Sequence, residues 1–450
     1  MIYRKFKLAK DILRQISEED KRVLKILGDT VRDISEVYKL QIRDGYYPKS
    51  SKKSDLEKAQ KESPEILTPF TFVDEVNGKL IGIPYHQKYA DRLKPISQKI
   101  DRAAKICSNK SFSKYLKARA KSLIDGSYRE ADIIWFDVKG SNIDFYIGPA
   151  ERYLDQLFFI KRAFQGYVGV IDRQETDDME QIKEVLYSSA KISPDKYHST
   201  SIPKKGVNIY VESTPSTSGY IADAVFSGEH FPSDLDIMQV RGSKIIFYKN
   251  QFQLKFDKLY FPIFKLIFEK RFTAKYTREL LSNATLLNIA LYEMGRQLHK
   301  FDGARERLKE LYGIIDEANG FASGIQHSKN LVVKGLITGD QLEAIIIIHI
   351  IWMFTDWLFY KNSKNVDSYV FANAICLNSY ISKGGLQEKE GIYWPNFSKM
   401  FFEIEALADN LVYLLRKGTY KDAETFLKKH AELKNFERLS KYISRINTNI

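Results

Sequence analysis

Between residues 5 and 45, apolar positions recur every three or four residues among charged ones. Ile12, Ile16, Val23, Leu24, Leu27, Val31, Ile34, Val37 and Tyr38 have the spacing that lines one face of a helix. The stretch that follows, GYYPKSSKKSDLEKAQKES, is polar and Lys-rich and reads as a surface loop carrying a short helix. Residues 88–126 return to helical spacing. The middle of the chain then changes period. IDFYIG (143–148), YVGVID (167–172), GVNIYVES (206–213) and SKIIFYKN (243–250) are short β-branched and aromatic runs bounded by Gly, Pro, Ser or Asp, a pattern that predicts strands. From about Phe261 onward long helical patterns dominate, broken near Gly320, Gly335, Gly384–Gly385 and Gly418. No internal repeat or low-complexity block is visible. The pattern is that of an α+β, mainly helical protein with an embedded β-containing section.

Composition narrows this only a little. At 450 residues the chain has room for two or three domains or one large two-lobed body, and with 44% hydrophobic residues it can bury a sizeable core, which excludes wholesale disorder. The net charge of +13 would suit nucleic acid, but the basic residues are interleaved with acidic ones, as in Arg4–Arg22 and Lys428–Lys441. A solvated surface explains that pattern better, so nucleic acid is a lesser expectation. Cys107 and Cys376 cannot build a disulfide scaffold or a four-cysteine zinc site, and each reads as a small buried hydrophobe. The first residues contain no apolar signal-peptide run, and Ala344–Tyr360, the greasiest stretch, carries His349 and Asp356, which favours a core helix over a membrane span. The expectation is a cytoplasmic protein without a membrane partner.

Candidate chemistry is scarce. The seven histidines, His86, His198, His230, His299, His327, His349 and His430, include no pair at the i, i+4 or i, i+5 spacing of a helical zinc site. No phosphate-cradling G-x-x-x-x-G-K-[ST] and no G-x-S-x-G elbow occurs, and neither cysteine has a histidine beside it. The residues by themselves show no recognisable active site.

Several separated blocks nevertheless match a known pattern. They are ILTPFTFVDEVNGKLIGIPYHQKYADRLKPISQKI, DIIWFDVKGSNIDFYIGPAERYLDQLFFIKRAFQGYVGV, RGSKIIFYKN, LKELYGIIDEAN, FANAICLNSYISKGGL and GTYKDAETFLKKHAEL, in that order. Together the sequence resembles the dipeptidyl-peptidase III family of zinc peptidases over nearly its whole length. The second block is the most specific, with its run W-x-D-x-K…I-G-P-x-E-x-Y-x-D-x-L-F-x-x-K-x-A-F. The resemblance implies two lobes and a wide cleft: a mixed α/β lobe with a small β-barrel-like core (1–171 and 213–260) and a mainly helical lobe (172–212 and 261–450). It also implies a zinc ion held by the histidines of H-E-x-x-H or H-E-x-x-x-H and a downstream glutamate, with the glutamate between the histidines as general base.

The chain departs from that pattern at its centre. Counting back from LKELYGIIDEAN, the motif helix is LLNIALYEMGRQLHKFDG. Tyr292 stands at the first histidine position, and Arg296 (or Gln297 in the longer motif) stands at the second. The general base persists as Glu293 and the third ligand as Glu317, beside Asp316. A guanidinium stays protonated and repels a dication, so no metal is expected there, and Arg296 is expected to pair with Glu293 or Glu317. His299, two turns from Tyr292, is a poor replacement ligand. The family's peptide-gripping N-x-P-N run reads HFPSD here, placing His230 and Ser233 at the asparagine positions, and Tyr369 replaces a histidine implicated in transition-state stabilisation. Glu151 and Tyr153 of the family's peptide-binding set persist. The resulting expectation is a pseudopeptidase, catalytically inactive with Glu293 vestigial, requiring no cofactor and retaining peptide or protein binding in the inter-lobe cleft. The alternatives are a metallo-hydrolase or aminopeptidase with a rebuilt metal site, and a basic scaffold associated with nucleic acid or a larger assembly.

Overall fold

The computed structural model describes residues 1–152, 154–191, 206–232, 234–360, 368–446 and 448. In it, the helical spacing after Ser17 becomes α1 (Glu18–Asp44). The Ser17 side chain accepts from the Asp20 N–H while Asp20 accepts from the Ser17 N–H, satisfying two otherwise orphaned donors. Its buried face contains Val23, Leu24, Leu27, Val31, Ile34, Val37 and Tyr38, as the spacing predicts. This helix lies on a six-stranded sheet that curls into a half-barrel. The strands are β1 (Tyr3–Lys5), β2 (Ile143–Glu151), β3 (Ala163–Ile171), β4 (Val207–Gly219), β5 (Gly228–Phe231) and β6 (Ser243–Tyr248). They run in the order β2-β3-β4-β6-β5, with β1 paired to the far end of β4, and every pairing is antiparallel except β4 with β6. The four runs predicted as strands lie in β2, β3, β4 and β6.

The helix α1 covers the face that carries Val168 and Ser216, and Gly28 lets its backbone come close to both. The opposite face is polar yet buried. It carries Asp144, Gln165, Tyr167, Glu212, Glu229, Lys244 and Tyr248, all at most 5% exposed. It is met by α3 (Lys110–Asp125) and α4 (Tyr128–Trp135), while α2 (Ala90–Ile106) packs on α1 and α3. Trp135 Nε1 donates to Asp144 Oδ1 at 2.7 Å, Tyr167 OH donates to Asp144 Oδ2 at 2.9 Å, and Tyr115 OH caps the Phe145 carbonyl at 2.7 Å. Strands buried on both faces are not the alternating strands of a solvated sheet.

The chain divides into two compact units, Met1–Thr176 with Lys205–Asn250 and Asp177–Lys204 with Gln251–Ile450. The first boundary in the β region falls before residue 213 because β4 already starts at Val207, where it pairs with β6. Residues 251–260 fall in the second unit because Phe256, Leu259 and Tyr260 are buried on the way into the helix Phe261–Ile267.

The second unit is built from α5 (Arg278–Leu298), α6 (Tyr312–Val333), α7 (Gly339–Tyr360), α8 (Ser368–Ser382) and α9 (Phe397–Lys417). The sequence predicts a break near Gly320, but α6 runs through it without interruption. The glycine serves helix packing there. A Cβ at Gly320 would collide with the Arg296 side chain, one at Gly324 with the Leu291 carbonyl, and one at Gly295 with the Gly324 backbone. Missing side chains let the two backbones touch, which outweighs the helix-propensity cost of about 1 kcal/mol per glycine. Among the described residues, α7 alone is long and apolar enough to cross a membrane, and 78% of its apolar window is buried inside the protein.

Candidate functional site

The helix α5 starts at Thr277, whose side chain accepts from the Leu280 N–H. Four turns on, Tyr292 and Arg296 sit one turn apart on the face turned to α6. The Tyr292 hydroxyl donates to Glu317 Oε2 and accepts from Arg296 Nη1 at 3.3 Å. Arg296 Nη2 reaches Glu317 Oε1 at 3.2 Å and Asp316 Oδ2 at 2.9 Å. Lys300 Nζ bridges both oxygens of Asp316 at 2.6 and 2.8 Å. The Tyr292 ring is packed by Phe321 at 4.7 Å and Trp352 at 5.3 Å between centroids. The structure thus brings together Tyr292, Arg296 and Glu317, as the motif alignment requires. It adds Asp316 as the closer partner of Arg296 and Lys300 as a second cation. The only sequence hint of Lys300 is its i, i+4 spacing from Arg296.

Electrostatically the two acids differ. Burial works against the Asp316 charge, but Lys300 and Arg296 outweigh it and hold its carboxyl down at about 2. Burial pushes Glu317 up to about 7 against the pull of Arg296, with the Asp316 charge adding to the rise. Burial also raises the Tyr292 phenol well above its ordinary value. Arg296 stays charged despite burial because Glu317, Tyr292, Asp316 and Tyr369 all favour its cationic form. A zinc site needs deprotonated or neutral donors converging on one point. Here a protonated phenol and a guanidinium already saturate the Glu317 carboxylate, so these residues do not fit a zinc ion. Among the described residues no other cluster of three His, Cys, Asp or Glu is arranged to hold a metal.

The remaining candidates are scattered. Glu293 is partly buried on α5 and forms no ion pair among the described residues, contrary to one of the two pairings expected for Arg296. Burial raises its carboxyl, while Arg296 and Lys300 pull it down from a distance. Gln297 is buried on the same helix. His299 does not turn to Glu317. Its Nδ1 meets Asn319 Oδ1 at 3.2 Å, and burial lowers it to about 3. Tyr369 lies partly buried on α8, within electrostatic reach of Arg296. In the half-barrel unit, Glu151 ends β2 and His230 sits on β5, while Tyr153 and Ser233 lie outside the described residues. The strand β6 is flanked by β4 and β5, so among the described strands the edge on that side of the sheet belongs to β5.

Three residues of the recognised blocks have architectural roles that the sequence does not announce. Asp155 accepts from the backbone N–H groups of Leu157, Phe158, Ile160 and Lys161 and from Tyr47 OH, which fixes the loop between β2 and β3. Lys161 is fully buried and donates to the carbonyls of Ile66 and Thr68 and to Thr71 Oγ1. Asp234, the last residue of HFPSD, holds Arg162 in a two-point contact at 2.8 and 2.9 Å and Arg129 at 3.0 Å.

Comparison with known proteins supplies the relationship. The model of peptidase family M49 matches residues 16–192. The fold is similar to that of dipeptidyl-peptidase III from Caldithrix abyssi, with a TM-score of 0.88 and 21% identity over 98% of this chain and 95% of that one. It is also similar to that of dipeptidyl-peptidase III from Corallococcus sp. strain EGB, with a TM-score of 0.80 and 18% identity over 98% and 93%. A curated relative, Nudix hydrolase 3 of Arabidopsis thaliana, is 24% identical over 79% of this chain, which spans only 46% of that protein's length. Residues 16–192 thus match peptidase family M49, and the half-barrel and the helical unit both share the fold of dipeptidyl-peptidase III.

Proposed function

We propose that the chain is a catalytically inactive member of its family that keeps a peptide- or protein-binding role through the half-barrel unit. One observation supports the reading: Tyr292 and Arg296, which the family resemblance puts at the histidine positions (with Gln297 at the second in the longer motif), both bond to Glu317, the remaining ligand position. Without a metal, water keeps a pKa near ~15.7 rather than ~7, and an isolated Glu293 cannot generate hydroxide at neutral pH. The binding half of the proposal rests on Glu151, retained by the family resemblance, and on the position of β5, which carries His230, at the edge of the sheet, where an extended peptide could add main-chain hydrogen bonds.

Elemental analysis of the dialysed protein, paired with an assay on dipeptidyl chromogenic substrates, tests this. The expected result is no stoichiometric zinc and no turnover. One zinc per chain, lost with Glu317→Ala, would overturn it. The double variant Tyr292→His with Arg296→His sharpens the test. It removes the opposing cation and sets two imidazoles one turn apart facing Glu317. Zinc binding should appear and weaken as pH falls and the imidazoles protonate. Little peptidase activity should accompany it, because His230, Ser233 and Tyr369 still replace the groups expected to hold substrate. Brisk cleavage would show that the substrate grip was never lost.

A further inference from the structure

On the buried polar face of the half-barrel, Gly148 of β2 lies opposite Gln165 of β3, and directly paired residues share a face. Tyr146, two residues earlier on β2, is on that face as well. Arg119 reaches it from α3, with its guanidinium carbon 4.7 Å from the Tyr146 ring centroid. A Cβ built on Gly148 would stand 3.3 Å from Arg119 Nη1 and 3.3 Å from Tyr146 OH, so both atoms border the room beside the glycine. Arg119, Tyr146 and Gln165 are 0%, 2% and 0% exposed. Yet among the described residues Arg119 Nη1 and Gln165 Oε1 have no hydrogen-bond partner, and none reaches Tyr146 OH. The other donors of these side chains are committed. Arg119 Nη2 donates to Asp132, Arg119 Nε to Tyr115 OH at 3.3 Å, and Gln165 Nε2 to Glu229 Oε1 at 2.7 Å.

We propose that this is a buried water site, in which one water bridges Arg119 of α3 to Tyr146 and Gln165 of the sheet. The chemistry of the three atoms selects the occupant. It has to accept from a guanidinium N–H, donate to an amide oxygen and meet a phenol that can do either. Water does all three, and about three hydrogen bonds are what a buried water ordinarily makes. An anion fits worse. It cannot donate to Gln165 Oε1, and Asp132 already offsets the Arg119 charge. An apolar filling would leave all three polar atoms unbonded. Gly169 on β3 shows the contrast: its room is taken by the Glu212 carboxyl, whereas at Gly148 no side chain comes closer than 3.3 Å. Because Gln165 also holds Glu229, the water ties α3 to β2, to β3 and, through Gln165, to the edge strand β5. Gly148 is then required for the room it leaves rather than for its backbone conformation.

A crystal structure of the full chain, at a resolution that shows ordered water, tests the site directly. The expected result is one water-sized peak within hydrogen-bond distance of Arg119 Nη1, Tyr146 OH and Gln165 Oε1. No peak, a peak that misses Arg119 Nη1, or Arg119 Nη1 bonded to a protein acceptor would overturn the proposal. Two substitutions read the same site in solution. Gly148→Ala sets a methyl group against the polar atoms and excludes the water. Its thermal midpoint should fall by about 2–4 °C, the scale of one lost polar contact in a unit of this size. Gly148→Ser is bulkier, but its hydroxyl would stand where the water is placed and can take over its bonds, so the fall should be smaller. Crowding alone predicts the opposite order, because the larger side chain fits worse. Serine as harmful as alanine, or an alanine variant as stable as the wild type, would overturn the proposal. If neither variant folds, the wild-type crystal structure decides.

Discussion

In the half-barrel, Glu212 lies fully buried, and among the described residues no donor reaches either of its oxygens; burial and the Asp144 charge raise its carboxyl well above the ordinary value. In the helical unit, Asp316 and Glu317 are equally short of water but are met by Arg296, Lys300 and the Tyr292 hydroxyl. In the first cluster burial pushes the Glu212 carboxyl toward its neutral form. The second offsets its negative charge with cations. Lys244 marks the contrast: it is buried at 4.2 Å over the Trp135 ring and 5.0 Å from that of Tyr210, and it acts on Asp144 and Glu212 without pairing with either. A neutral carboxyl leaves a region that tolerates neutral substitutes. Ion pairing leaves one in which every member depends on the others.

Breaking the second cluster should therefore have the largest effect. Arg296→Ala is expected to destabilise the protein by about 3 kcal/mol in chemical denaturation, because two buried carboxylates keep only Lys300 between them. Combining it with Asp316→Ala should recover part of that loss, and simple additivity would show that the pair is not coupled. Asp316→Asn comes next, at about 2 kcal/mol near neutral pH. Its folded carboxyl is depressed to about 2, so the contribution is present above the ordinary carboxylate range and disappears as pH falls toward that value. A difference that persists undiminished at acid pH would refute the assignment.

The half-barrel should respond in the opposite sense. Glu212→Gln is expected to match or exceed wild-type stability at neutral pH, by about 1 kcal/mol, and to gain further as pH rises. Burial and the Asp144 charge raise the folded Glu212 carboxyl, so the wild type loses stability as pH climbs from the ordinary carboxylate range toward the folded value. The amide variant has no such slope. Destabilisation by Gln would mean that the carboxyl is charged and paired after all. The smallest expected effect is that of Tyr292→Phe, about 1 kcal/mol, since Glu317 keeps Arg296 when it loses the hydroxyl.

Much of this was legible in the sequence, and the limits have physical causes. The amphipathic face of α1 follows from periodicity, and the strands β2, β3, β4 and β6 follow from their β-branched and aromatic runs between turn residues. Tyr292, Arg296 and Glu317 were legible as a group only through the family motif, since no spacing rule joins residue 296 to residue 317. The hairpin Thr71–Val76 with Lys79–Pro84 had a usable signal that went unread: Asn77-Gly78, both at positive φ, the pair that a tight two-residue hairpin turn demands. The carboxyl face of the half-barrel left no trace, because Asp144, Glu212 and Glu229 lie on separate strands that only the fold brings together. Gly320 misled for a different reason. A glycine that breaks a helix and one that lets two helices touch look the same in sequence.

That last glycine has a consequence for engineering. The separation of α5 and α6 is fixed by main chain resting on main chain at Gly295 and Gly324, and Gly320 gives the Arg296 side chain its room. Neither a metal nor the guanidinium is needed as a spacer. Exchanging residues 292 and 296 therefore changes the charge balance of the cluster but not the gauge of the frame, whereas enlarging Gly324 by one methyl would shift the frame and misalign any set of ligands placed on it.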